Sequence, residues 1–232
     1  MKSSIFLGAA VATLFAAGTA SAQQNCDWVS TCSGFSLDSE VLMLRWSDTD
    51  GDDSNDNLTA GYRFTAGYAF EGGRILRLRY FGFQSPDEVG PGELDLKMAD
   101  VEYAARFNLA THLDGEVSVG ARWASMANPT PRDWDSLYGP ILGARFRSEL
   151  VSDLAIYAGA RAGYLWGHEN VEDHTHPVSM AEVSAGLEWS KRTEMGAVSL
   201  HGGVEVQHYN SVRDDEEDIS LIGFSVGGGV NF

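Results

Sequence analysis

The chain has 232 residues, with 33 acidic against 16 basic side chains and a net charge of −17, which leaves a nucleic-acid partner without an electrostatic basis. Beyond the N-terminal segment, no apolar stretch approaches the roughly 20 residues that a membrane-spanning helix needs. Any crossing of a membrane is therefore made by strands, and no cofactor motif is present.

Residues 1–22, "MKSSIFLGAAVATLFAAGTASA", place Lys2 before an apolar run from Ile5 to Ala17 and end on Ala20-Ser21-Ala22. That order of charge, apolar core and small residues reads as a cleaved signal peptide. Residues 23–33 follow as a short N-terminal segment that carries Cys26 and Cys32. In an exported chain the pair reads as a local disulfide, which constrains the unfolded chain by roughly 2 kcal/mol at so small a ring size. A lipid anchor fits less well, because no compact apolar box precedes Cys26.

From residue 34 to 232 the pattern is one of alternation, as in "LTAGYRFTAGYAF", and successive side chains of a strand point to opposite faces. Ten such segments are predicted, at 35–47, 58–70, 74–84, 94–109, 115–127, 136–149, 153–168, 178–190, 195–210 and 217–232. Their connections alternate in length. Short ones are "EGG", "THLDG", "LVSD" and "KRTE"; long polar ones are "SDTDGDDSNDN", "SPDEVGPGE", "NPTPRDWD", "GHENVEDHTHP" and "NSVRDDEE". An even number of strands with short turns on one rim and long loops on the other describes an all-β, antiparallel, up-and-down transmembrane barrel. Ten strands are expected, with eight or twelve as the alternatives, and both termini lie on the short-turn, periplasmic rim.

The two parities differ in chemistry. One carries uninterrupted apolar runs, such as Ile156, Ala158, Ala160, Ala162, Tyr164 and Trp166, and several runs end on aromatic residues. The other carries Arg63, Arg77, Arg79, Arg106, Arg122, Arg145, Arg147 and Arg161 with Asp38, Glu40, Asp100, Glu102, Glu116, Glu149, Glu182, Glu188 and Glu205. Eight cations against nine anions suit a lumen of paired charges, with lipid against the apolar parity. Of these, the eight arginines and Glu102, Glu116, Glu182, Glu188 and Glu205 are the candidate lumen lining.

The last segment, "ISLIGFSVGGGVNF", alternates Ile222, Phe224, Val226, Gly228, Val230 and Phe232 and ends on an aromatic. In this it resembles the assembly signal of Gram-negative outer-membrane barrels. The resemblance implies export to the outer membrane, insertion by the barrel assembly machinery with Phe232 as the signal, and contact with outer-membrane lipid and lipopolysaccharide. The patterning of "GFSLDSEVLMLRW", "LTAGYRFTAGYAF" and "DVEYAARFNLATHLDGEVSVGARW" is also similar to the pore-forming outer-membrane proteins described for Legionella and found in planctomycetes.

Candidate chemistry is sparse. Asp48, Asp50 and Asp52 alternate like the start of a calcium loop, but an EF-hand's sixth-position glycine and twelfth-position glutamate are replaced by Asp53 and Thr59. Weak binding of divalent cations is what remains of that match. His168, His174 and His176 are placed in one polar loop with Glu169, Glu172 and Asp173, where His174 and His176 could chelate a metal. The same loop offers His168, His174 and Asp173 to a rim-localised hydrolase, yet no G-x-S-x-G or comparable nucleophile motif accompanies them. The expectation is thus a non-enzymatic outer-membrane barrel, structural and narrowly porin-like for ions or small solutes. A surface-binding module using acidic outer loops and an outer-membrane hydrolase are the alternatives.

Overall fold

A computed structural model describes residues 33–48, 57–85, 94–127, 134–151, 153–168, 175–193, 196–210 and 218–232. The predicted signal peptide and Cys26 and Cys32 lie outside the described residues. Ten strands are present among those described: β1 (Gly34–Asp48), β2 (Thr59–Phe70), β3 (Arg74–Ser85), β4 (Leu94–Ala110), β5 (Leu113–Ala127), β6 (Trp134–Val151), β7 (Leu154–His168), β8 (Thr175–Thr193), β9 (Gly196–Asn210) and β10 (Ile219–Asn231). Each pairs antiparallel with its neighbours in sequence, and β1 pairs with β10, so the sheet closes into an up-and-down barrel with no free edge.

Closure is registered from Ser36 opposite Asn231 to Asp48 opposite Ile219. Past the last strand, the Phe232 amide donates to the Phe35 carbonyl at 2.8 Å, so the terminal residue extends the seam. Between β2 and β3 the chain turns through Gly72 and Gly73 at φ of 85° and 73°, left-handed values that a side chain would strain.

Outward side chains form an apolar belt with an aromatic row at each end. Trp123, Tyr138 and Trp166 face one another across β5, β6 and β7 near the long loops, and Phe35 packs on Tyr68 near the short turns, with ring centroids 4.8 Å apart. Along β3 the belt runs from the exposed Arg74 to Gly82, whose partner on β4 is the exposed Lys97. Eight strand steps, at about 3.4 Å each and a tilt of about 40°, give a height of about 21 Å. Charges inside and greasy groups outside are the inverse of a water-soluble barrel.

The strands extend further into the long connections than alternation alone predicts. Gly167 pairs with His176 and His168 with Thr175, so His168 and His176 belong to strand stems rather than to a loop, and Asp48 ends β1 opposite Ile219. Backbone ladders need no apolar face, and they continue into polar sequence above the belt.

Candidate functional site

The interior has three layers because the inner parity changes character along each strand. At the long-loop end it is apolar. Leu42, Leu44 and Trp46 of β1, Phe81 and Phe83 of β3, Leu94, Leu96 and Met98 of β4, Leu165 of β7 and Ile219 and Leu221 of β10 belong to one buried cluster. The Trp46 indole donates to the Ser85 hydroxyl at 3.1 Å, which satisfies its polar edge inside that layer. Tyr209 is wholly buried at the boundary below, its hydroxyl donating to Gln207 Oε1 at 3.0 Å.

Charge pairs fill the middle layer. Arg122 donates through Nε and Nη2 to both Asp100 oxygens at 2.7 and 2.9 Å, and through Nη1 to Glu182 at 2.6 Å. Arg161 reaches the same two acids at 2.6 and 2.9 Å and adds Glu102 at 2.7 Å. On the opposite side of the register, Arg63 forks onto Glu205 and also holds Glu40 at 2.5 Å. Gln207 donates to Glu205 at 2.7 Å, which ties this pair to Tyr209 above. Planar guanidinium forks, buried with several acceptors each, are the arrangement in which buried ion pairs recover their desolvation cost.

Toward the short turns the interior opens into a cavity of about 1570 Å³. Arg77 and Arg106 share Glu116 there at 2.6 and 2.8 Å, and Arg145 and Arg147 share Glu188 at 3.0 Å each. Arg79 lies 3.6 Å from Glu182 and covers the network from below. The lining runs from Phe232 and Lys191 at the rim up to Arg79, Glu102, Glu182 and Glu205, and it includes no residue of the apolar cluster. The cavity is therefore a vestibule whose ceiling is the charge network.

Of the candidate lumen residues, Arg63, Arg77, Arg79, Arg106, Arg145, Arg147, Arg161, Glu102, Glu116, Glu182, Glu188 and Glu205 border the vestibule, whereas Arg122 is sealed inside the network. Of the loop candidates, the described ones are not brought to this site. Asp50, Asp52, Asp173 and His174 lie outside the described residues, and Asp48, His168 and His176 are strand residues at the opposite end of the barrel. One residue that sequence reasoning missed is His201, which shares the inner parity of β9 with Glu205 and stands with Asp38 and Glu40 in the vestibule wall. Its signal was the alternation His201, Gly203, Glu205, Gln207. Its partners are two strands away, however, and only the closed register brings them together.

No family model matches this chain, and no curated protein matches it. Solved structures to which it is similar include Neisserial surface protein A at 13% identity, covering 85% of this chain and 97% of that one with a TM-score of 0.42. The outer membrane protease OmpT from Escherichia coli is similar at 6% identity, covering 89% and 99% with a TM-score of 0.45. Ail, the attachment invasion locus protein of Yersinia pestis, is similar at 13% identity, covering 86% and 99% with a TM-score of 0.35. These are outer-membrane β-barrels of Gram-negative bacteria, and the likeness is one of barrel architecture.

Proposed function

We propose that the protein is an integral outer-membrane barrel with a structural role. Its lumen is stoppered on the long-loop side and open on the short-turn side, so the structural half of the sequence expectation is favoured over passive conduction. The observation that carries this reading is the apolar layer in series with the charge network. Leu42, Leu44, Leu94 and Leu96 have at most 1% of their surface exposed, and they occupy the section that an aqueous path would have to cross. Small barrels fill their interiors with side chains, and an apolar constriction excludes ions by dewetting.

The apolar belt and its two aromatic rows support insertion in a bilayer, since each girdle sits where a headgroup region would be. Single-channel recording of the refolded protein in planar bilayers tests the reading. The wild type should give no sustained current steps. Steady steps of porin size from the folded wild-type barrel would show that the apolar layer does not close the lumen, and the structural reading would give way to the channel.

A further inference from the structure

Glu40 of β1 stands opposite Gly227 of β10, and Gly227 stands opposite His201 of β9. Because position 227 has no side chain, Glu40 and His201 meet across the intervening strand, with Nε2 and Oε1 3.0 Å apart. A Cβ at Gly227 would lie 2.7 Å from both His201 Nε2 and Glu40 Cγ. One turn of the pleat lower, Asp38 is opposite Gly229, and its Oδ2 comes to 3.7 Å from the other ring nitrogen. One donor atom from each of the three residues falls within 4.8 Å of the others.

This geometry leaves a chemical deficit. A neutral imidazole has one N–H, yet both ring nitrogens face carboxylate oxygens, so one lone pair confronts another unless the ring takes a second proton or a metal ion stands between them. The Asp38 carboxylate makes no side-chain hydrogen bond among the described residues, and the nearest ring nitrogen, His201 Nδ1, lies 3.7 Å away. Asp38, Glu40 and Glu205 carry three negative charges, and the cation bonded to this group, Arg63, is divided between Glu40 and Glu205.

We propose that Asp38, Glu40 and His201 form a binding site for one transition-metal dication, Zn²⁺ by its donor set, in the vestibule wall. One imidazole with two carboxylates is a borderline set that suits zinc better than calcium or magnesium, which favour six or more oxygens or retained water. Bonds of about 2.0–2.2 Å place tetrahedral ligands about 3.3–3.6 Å apart. One ring nitrogen of His201 and one oxygen from each carboxylate lie within 4.8 Å of one another, so a shared ion requires the ring and the carboxylates to rotate and close in by about 1 Å. Arg63 holds Glu40 through Oε2 at 2.5 Å and leaves Oε1 for the metal, the kind of outer support that fixes a ligating carboxylate. All three residues border the vestibule, so water from that side completes the fourth position.

The test uses full-length barrel refolded in detergent and stripped with chelator. Titration calorimetry with Zn²⁺ should give one site per chain, and Co²⁺ should give the d–d absorption of a tetrahedral complex. Asp38→Asn and His201→Gln should each weaken zinc binding by at least about tenfold. Gly227→Ala should weaken it too, by pushing the ring and Glu40 apart. His174→Ala with His176→Ala should leave the site unchanged. Should His201→Gln fail to fold, Asp38→Asn carries the test, because the Asp38 carboxylate has no hydrogen bond to lose. A folded wild type that takes up no zinc overturns the proposal, the ring then being satisfied by a proton. So does unchanged affinity in Asp38→Asn, or loss of the site in the double variant of the long-loop histidines.

Discussion

Arg122 and Arg145 show how position inside one barrel sets the worth of an ion pair. Arg122 has 2% of its side chain exposed and three bonds to two buried acids, whereas Arg145 has 37% exposed and one bond to Glu188. Arg122→Ala would leave Asp100 and Glu182 facing each other with fewer cations, and should destabilise the barrel by about 3–5 kcal/mol. Arg145→Ala removes a water-screened partner and should cost about 1 kcal/mol or less. Urea unfolding of the two variants in micelles separates these outcomes, and equal losses would mean that the network is not dry. That both arginines point inward was readable from parity. Their different burial was not, because depth along the lumen depends on how the registers of ten strands add up.

At the level of strands, the belt requires that no charge enter its middle. Val183 of β8 lies between Trp189 near the short turns and Ser179, which pairs with Tyr164, and it is exposed on the outer face. Val183→Arg should therefore lower stability by about 2–4 kcal/mol in lipid vesicles, read from folding titrations in urea. Unchanged stability would take this face away from hydrocarbon. Strand number and inside-outside assignment were legible because "RILRLRY" and "DVEYAARF" alternate charge with apolar groups. In "EVLMLRW" that contrast fails, and in "DLKMAD" it is inverted, with Leu96 and Met98 pointing in and Asp95 and Lys97 out. Leu42 and Leu44 point in while Val41 and Met43 point out, so both faces are apolar and periodicity cannot say that the lumen is filled there. The apolar layer was missed for that reason. Arg45, Asp95 and Lys97, outward and polar, mark instead where the belt ends.

For the molecule as a whole, the apolar layer and the charge network act as resistances in series, so removing the smaller one changes little. Replacing Arg122 and Arg161 by Ala would widen the charged section, but the layer above would still block the lumen. Phe83→Ala combined with Leu96→Ala, two buried neighbours paired across β3 and β4, should instead introduce measurable conductance. Planar-bilayer recording of both double variants decides the order; current from the arginine pair alone would place the constriction in the network. Orientation has its own test. An epitope inserted in 169–174 should be reached by antibody on intact cells, and one in 71–73 should not, since long loops face outward in bacterial barrels. The dead-end vestibule also makes the protein chemically lopsided. Water filling the vestibule, on the order of fifty molecules at about 30 Å³ each in 1570 Å³, would exchange with one compartment alone if the lumen is closed as proposed. An arginine-modifying reagent confined to that compartment should label Arg77, Arg79 and Arg145, and the same reagent on the far side should leave them intact. The barrel would thus sample the solution on one side of the membrane while presenting to the other a face that its own interior cannot sense.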